Sequence, residues 1–261
     1  MFKKIFISAL VIALIGTAIY LSPAMREARF VDALVAANVE ARGGAAAWER
    51  VTALRLNGRM DLGQDMTVPY VLEHKRPGKM CFEFEFDGAM STQCADGDGG
   101  WKIAPFMGRA EPQAMSDLEY QEFADAADPY GVLYDYRARG IKIDYLGLET
   151  IEERETHKLQ VNLPKGGTRW VYLDAETALD IKLQTPRTIA GRDHVVETIY
   201  SDWQTSEGLL IPMHQESRMV GEGETSFLTV DSVVVNPAIE DDRFHIPAVV
   251  STGSGNGGNP S

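Results

Sequence analysis

The feature that most constrains this chain is a period of two. From residue 53, apolar side chains recur at alternate positions: Leu54, Leu56, Gly58, Met60 and Leu62 against Ala53, Arg55, Asn57, Arg59 and Asp61. Met66, Val68, Tyr70 and Leu72 repeat the pattern, as do His157, Leu159, Val161 and Leu163, and then Leu179, Ile181 and Leu183. Residues 168–174, 194–204, 213–220 and 225–235 read as further strands. Neighbouring side chains on a strand point to opposite faces, so alternation of this kind specifies a sheet with one apolar and one polar face. Short turn signals separate the runs, such as Pro-Lys-Gly-Gly at 164–167 and Gly-Glu-Gly at 221–223. No helical crossovers alternate with the strands, so the sheet is expected to be antiparallel, with about eleven strands.

The stretch CFEFEFDGAMSTQC, residues 81–94, holds both cysteines of the chain. Asp-Gly between alternating runs is a hairpin signal, because a two-residue turn needs positive φ. With Asp87 and Gly88 as the loop, Phe86 faces Ala89, Phe84 faces Ser91 and Cys81 faces Cys94. Counting outward, the cysteines fall on a non-hydrogen-bonded pair. There the Cα atoms lie about 4.5 Å apart, within the reach of a disulfide. Two free thiols or half a metal site are the alternatives. The same register puts Phe82, Phe84 and Phe86 on one side and Cys81, Glu83, Glu85 and Cys94 on the other, which reads as an aromatic face with its back in water.

A disulfide needs an oxidising compartment, and the N-terminus supplies one. Lys3 and Lys4 precede an apolar run from Ile5 to Leu21, followed by Ser22-Pro23-Ala24. This is the order of an export signal, with cleavage expected after Ala24. At 17 residues the run is also near the lower limit of a membrane span, so residues 1–24 read as a signal peptide or a retained inner-membrane anchor. No cysteine follows the run, so there is no lipid-attachment site. Either way the remainder is expected in the periplasm of a bacterial envelope. Removing residues 1–24 takes the formal charge from −13 to −15, which argues against electrostatic binding of nucleic acid or anionic lipid surfaces. Residues 25–250 read as one domain, and the Gly/Ser/Asn-rich residues 251–261 as a disordered tail.

Helical patterning is sparse. Residues 25–42 read as a helix with an apolar stripe of Phe30, Leu34, Ala37 and Ala41, ended by Gly43-Gly44, and AAAWER begins a second piece carrying Trp48. Residues 105–131 are not strand-like; within them Ser116 and Glu119 are spaced as a capping box. So little helix cannot cover so many strands, so the sheet either curls toward a barrel or keeps a cavity. The interrupting segment is then a movable lid or a permanent plug. The residues expected to line such a cavity are Leu56, Met60, Val68, Tyr70, Phe82, Phe84, Phe86, Trp101, Leu159, Val161, Ile181 and Leu183, with Phe106 and Met107 on the segment itself.

A search for chemistry returns little. Neither Gly-x-Ser-x-Gly nor His-Glu-x-x-His occurs, and Gly253-Ser254-Gly255 lies in the tail, where no base could be held. The five histidines, at 74, 157, 194, 214 and 245, are scattered singly, without the spacing of metal ligands. Asp96 and Asp98 lack the rest of a calcium loop, including its closing Glu, and read as a turn. The sequence therefore predicts no catalytic residues, no metal and no cofactor, and a protein that is not an enzyme.

Several stretches resemble the outer-membrane lipoprotein-sorting family of LolA/LolB-like periplasmic carriers: DGDGGW at 96–101, VYLDAETAL at 171–179, SEGLLIPM at 206–213, NPAIEDDRFHIP at 236–247, and NVEARGGAAAWERVTALRLNGRM at 38–60. The likeness spans roughly residues 28–248. It implies a highly curved antiparallel half-barrel, mainly β with α, whose concave face is covered by helices. It also implies binding of lipids or lipoprotein acyl chains without covalent chemistry. The partners then expected are a lipid or acylated lipoprotein and an inner- or outer-membrane protein, and no nucleic acid. The alternative is a lipid sensor or regulatory module of the same fold that binds a protein partner, tethered if the N-terminus is retained.

Overall fold

The computed structural model describes residues 22–247 except 62, 64, 65, 125–128, 165, 190 and 224. The expected export signal before Ser22 and the expected tail lie outside the described residues. The protein is mainly β: thirteen strands form one antiparallel sheet that is not closed into a barrel. In chain order they are β1 (Ala53–Asp61), β2 (Thr67–Lys75), β3 (Lys79–Phe86), β4 (Ala89–Ala95), β5 (Gly100–Ala104), β6 (Arg109–Ala114), β7 (Lys142–Ile151), β8 (Arg154–Asn162), β9 (Thr168–Asp174), β10 (Asp180–Ile189), β11 (Arg192–Ser206), β12 (Leu209–Met219) and β13 (Thr225–Val235). Across the sheet the order is β6-β5-β4-β3-β2-β1-β13-β12-β11-β10-β9-β8-β7, so two runs of consecutive hairpins are joined by β1 against β13. The count of about eleven is thus too low. β6 lies inside the segment expected to lack strands, because Arg109–Ala114 has no apolar alternation and pairs only with β5 at the sheet edge.

Among the described residues three α-helices accompany the sheet: α1 (Pro23–Ala41), α2 (Ala45–Glu49) and α3 (Asp117–Ala124). Ser22 caps α1, its hydroxyl accepting from the Met25 N–H. The buried stripe of α1 is Val31, Val35 and Asn38, rotated from the stripe expected around Phe30 and Ala37. Asn38 explains the rotation: its amide donates to the Ala178 carbonyl and to Asp180, so a polar residue takes a core position by satisfying its hydrogen bonds. Val31 and Val35 pack against Leu159, Val161, Val171 and Leu173 of β8 and β9. Trp48 of α2 packs against Leu54, Leu56, Leu209, Ile211 and Val230. Between the two helices sits the loop 129–141, whose Tyr130, Leu133, Tyr136 and Ile141 are all buried. It is fastened by Asp32, which accepts from Tyr136 and from both Nε and Nη2 of Arg137.

α3 shows how strongly the sheet bends. Its N-terminus carries the expected capping box: the Ser116 N–H donates to Glu119, and the Glu119 N–H to the Ser116 hydroxyl. Glu119 pairs with Lys102 of β5, while both Nη atoms of Arg187 on β10 lie 3.4 Å from the Glu122 carbonyl oxygen. β5 and β10 are eight strand spacings apart in the sheet order, about 38 Å if the sheet were flat. A helix of 8 residues is about 12 Å long, and two long side chains cannot make up the difference. The sheet therefore curls until its two wings come within reach of one short helix.

Candidate functional site

The hairpin β3–β4 sets the site. Asp87 and Gly88 have φ of 51° and 73°, and the register pairs Phe86 with Ala89, Phe84 with Ser91 and Cys81 with Cys94. Cys81 and Cys94 form a disulfide with a Cα separation of 4.1 Å. Phe82, Phe84 and Phe86 share one face with Tyr70 and Leu72 of β2, which pair with Phe84 and Phe82. The aromatic rings run in sequence. Tyr70 lies 5.4 Å from Phe82, Phe82 lies 5.9 Å from Phe84, and Phe106 lies 6.0 and 6.1 Å from Phe84 and Phe86. Gly58, opposite Tyr70, makes room for its ring: a Cβ there would stand 2.0 Å from the Thr229 carbonyl oxygen and 2.8 Å from the Tyr70 ring. Burial, then the charge of Asp231, raise the Tyr70 hydroxyl to about 12, so it stays protonated and neutral.

Phe106 belongs to a single 3₁₀ turn, Pro105–Met107, between β5 and β6, ended by Gly108 at φ 73°. It rests on Phe84 and Phe86, yet it and Met107 are 53% and 60% exposed. Phe82, Phe84 and Phe86 are only half-buried. None of these rings belongs to a buried cluster. The tract is therefore an apolar surface thinly covered by one turn, suited to contact with another apolar body. Among the described residues, no three His, Cys, Asp or Glu side chains come together so as to hold a metal ion, and no helix is long and apolar enough to cross a membrane.

No family model and no curated protein sequence matches this chain, but solved structures do. A LolA superfamily protein from Nitrosomonas europaea superposes with a TM-score of 0.57 at 13% identity, over 82% of this chain and 97% of that one. A DUF1329 family protein from Desulfovibrio piger gives 0.58 at 11% identity over 82% and 97%. A putative outer membrane lipoprotein-sorting protein domain from Vibrio parahaemolyticus gives 0.54 at 12% over 80% and 94%. The chain has a LolA-like fold. At such low identity the likeness speaks for the backbone, so the site must be read from this chain's own side chains.

Within the LolA-like sheet the residues expected to line one cavity separate into groups. Tyr70, Phe82, Phe84, Phe86 and Phe106 come together, with Met107 on the same turn. Met60 and Val68 pair with each other across β1–β2 two residues further along that face. Leu56 is instead buried beneath Trp48. Leu159 and Val161 are fully buried beneath α1, with Leu183 against the same cluster, and Ile181 on β10 is 7% exposed. Trp101 sits on the opposite face of the sheet. Paired with Cys94, it packs with Ala53, the disulfide, Ile239 and Phe244, and its indole N–H donates to the Phe244 carbonyl. The expectation of a hairpin back in water fails for the same reason. Residues 239–244 lie across that face, held by Arg243 on Glu73 and Glu83 and by Asp241 on Lys75 and Lys79, and both cysteines are buried. Alternation tells which residues share a face, but not whether another segment covers it. The segment 105–131 likewise divides: its last residues begin the buried loop 129–141, while its first form the exposed turn.

Proposed function

We propose that this chain is a non-catalytic periplasmic carrier or binding protein for lipids or lipoprotein acyl chains. The aromatic tract on the concave, apolar face is its acyl-contact surface, and helices cover the remainder of that face. The observation that carries this reading is a continuous row of aromatic rings, outside every buried cluster and shielded by one exposed turn. Each methylene moved from water onto such a surface contributes about 0.8 kcal/mol, so about ten methylenes bring about 8 kcal/mol before ordering costs. Tyr70, Phe82, Phe84, Phe86 and Phe106 are the acyl-contact residues, with Met107, Met60 and Val68 at the margins. The cargo is a lipid or an acylated lipoprotein, handed to or from an inner- or outer-membrane protein. Residues 1–24 serve as the export signal or the anchor, residues 25–250 as the binding domain and residues 251–261 as a tail.

The test is native mass spectrometry of exported protein purified without detergent, followed by organic extraction, on wild type and Phe84→Asp. A lipid released from wild type and missing from a folded Phe84→Asp variant is the expected result. Wild type that stays lipid-free after incubation with envelope lipids, or a variant that retains its lipid, overturns the reading.

A further inference from the structure

Three buried side-chain polar atoms have no hydrogen-bond partner among the described residues: Arg42 Nε, Ser91 Oγ and Trp203 Nε1. Arg42 is otherwise engaged, its Nη atoms donating to the carbonyls of Tyr130 and Pro129. Trp203 lies on β11, where the pairing with β12 skips Asp202. Ser91 is different. It is 3% exposed, pairs directly with Phe84, and so points from β4 into the aromatic tract. The β4–β5 register pairs Thr92 with Ile103; one step further brings Ser91 beside Ala104, where the Pro105–Met107 turn departs. The ring resting on its partner Phe84 is Phe106 of that turn.

A hydroxyl left unpaired in an apolar setting is destabilising, and a sheet position facing aromatic rings would be served more stably by Ala or Val. A hydroxyl here gains a partner when a ligand brings a polar atom into the tract. An acyl chain has one such atom that a hydroxyl can donate to without disturbing the apolar contact: the carbonyl oxygen of its ester or amide linkage. We infer that Ser91 is a specificity-determining residue of the aromatic tract, its hydroxyl donating to the acyl carbonyl of the ligand once Phe106 and its turn move aside. The inference rests on the acyl-binding reading above and adds to it. The site selects acyl esters and amides over plain hydrocarbon, and it fixes how deep the chain enters.

Methyl laurate and tetradecane present nearly equal apolar length, and only the ester has a carbonyl. Each is titrated against wild type, Ser91→Ala and Ser91→Thr by displacement of diphenylhexatriene, alongside thermal melts of the free proteins. Ser91→Ala is expected to weaken methyl laurate about 3- to 10-fold, to leave tetradecane unchanged, and to melt at the same temperature as wild type or higher. Ser91→Thr is expected to restore the ester preference. With a ¹³C-labelled carbonyl, the infrared band of bound ester moves to lower frequency in wild type and Ser91→Thr, and not in Ser91→Ala. Equal loss for both ligands, no loss for either, or a Ser91→Ala protein that melts lower overturns the assignment to Ser91 while leaving acyl binding intact. Wild type that binds neither ligand removes both readings together.

Discussion

The apolar face has two halves built from the same kinds of residue and finished differently. Over β7–β9 lies α1, a helix of 19 residues, with the loop 129–141 beside it. Leu159 and Val161 beneath them have no solvent exposure, and Asp32 ties helix to loop through Tyr136 and Arg137. Over the β3–β4 hairpin lies a turn of 3 residues, and although Tyr70 of β2 is buried, the rings of Phe82, Phe84 and Phe86 remain half-buried. An apolar residue on this sheet is therefore not in itself a sign of a binding surface. The sign is the place where the apolar face extends beyond its own cover.

Three substitutions break or sharpen that contrast. Leu159→Ala in the closed half should cost about 2–5 kcal/mol in urea unfolding, the usual range for emptying a fully buried leucine site, and leave the affinity for tetradecane within about twofold in the folded fraction. Replacing both Cys81 and Cys94 by Ser should come next, at about 3 kcal/mol for a loop of this length. That loss falls on the hairpin bearing the aromatic tract, and tetradecane affinity falls with it. Phe84→Ala should cost less than about 1.5 kcal/mol, because its ring is only partly removed from water, but should weaken tetradecane at least tenfold. Equal unfolding costs for Leu159→Ala and Phe84→Ala would show that the two halves are equally closed, and the contrast would fall.

Much of this was legible in the sequence, for definable reasons. The hairpin register, the Asp87-Gly88 turn, the disulfide and the Ser116–Glu119 capping box depend on contacts between residues close in sequence, and the alternation states them directly. The edge strand β6 was hidden because its residues pair on one side only and need no apolar alternation. Trp101 was misplaced, and the outer face misread as wet, because the covering residues Ile239 and Phe244 lie far away in sequence. The loop 129–141 was missed although Tyr130, Leu133 and Tyr136 recur at intervals of three, since no regular element forms there. Ser91 gave no signal at all: an unpaired hydroxyl is visible only once its neighbours are in place.

The smallest expected effect concerns acid, and it separates the halves by their fastenings. The Glu119 carboxyl is pulled down to about 2, first by the hydrogen bond from Lys102 and then by the N–H and hydroxyl of Ser116. A carboxyl depressed in the folded state lends stability that is complete above its ordinary value, near 4.5, and is lost as pH falls toward 2. The other fastening of α3 is Arg187, which holds the Glu122 carbonyl, a group without charge, and lies 3.8 Å from the Glu122 carboxyl. Acid should thus free α3 at its β5 end, beside the aromatic tract. Amide hydrogen exchange between pH 4.5 and 2 should show protection of α3 falling while β8, under α1, keeps its own. In Glu119→Gln the protection of α3 should already be low at neutral pH and change little with acid. Asp32, whose carboxyl is also lowered, first by the hydrogen bond from Arg137 and next by Tyr136, fastens α1 to the buried loop, so acid tests that half too. The buried contacts of Val31 and Val35 remain when Asp32 is neutralised, whereas α3 buries no residue fully and keeps only polar fastenings, the Tyr120 hydroxyl on the Gly97 carbonyl and Arg187 on Glu122. Simultaneous loss of protection in α3 and β8 would mean that the halves open as one unit and that the thin cover over the tract has no independent motion.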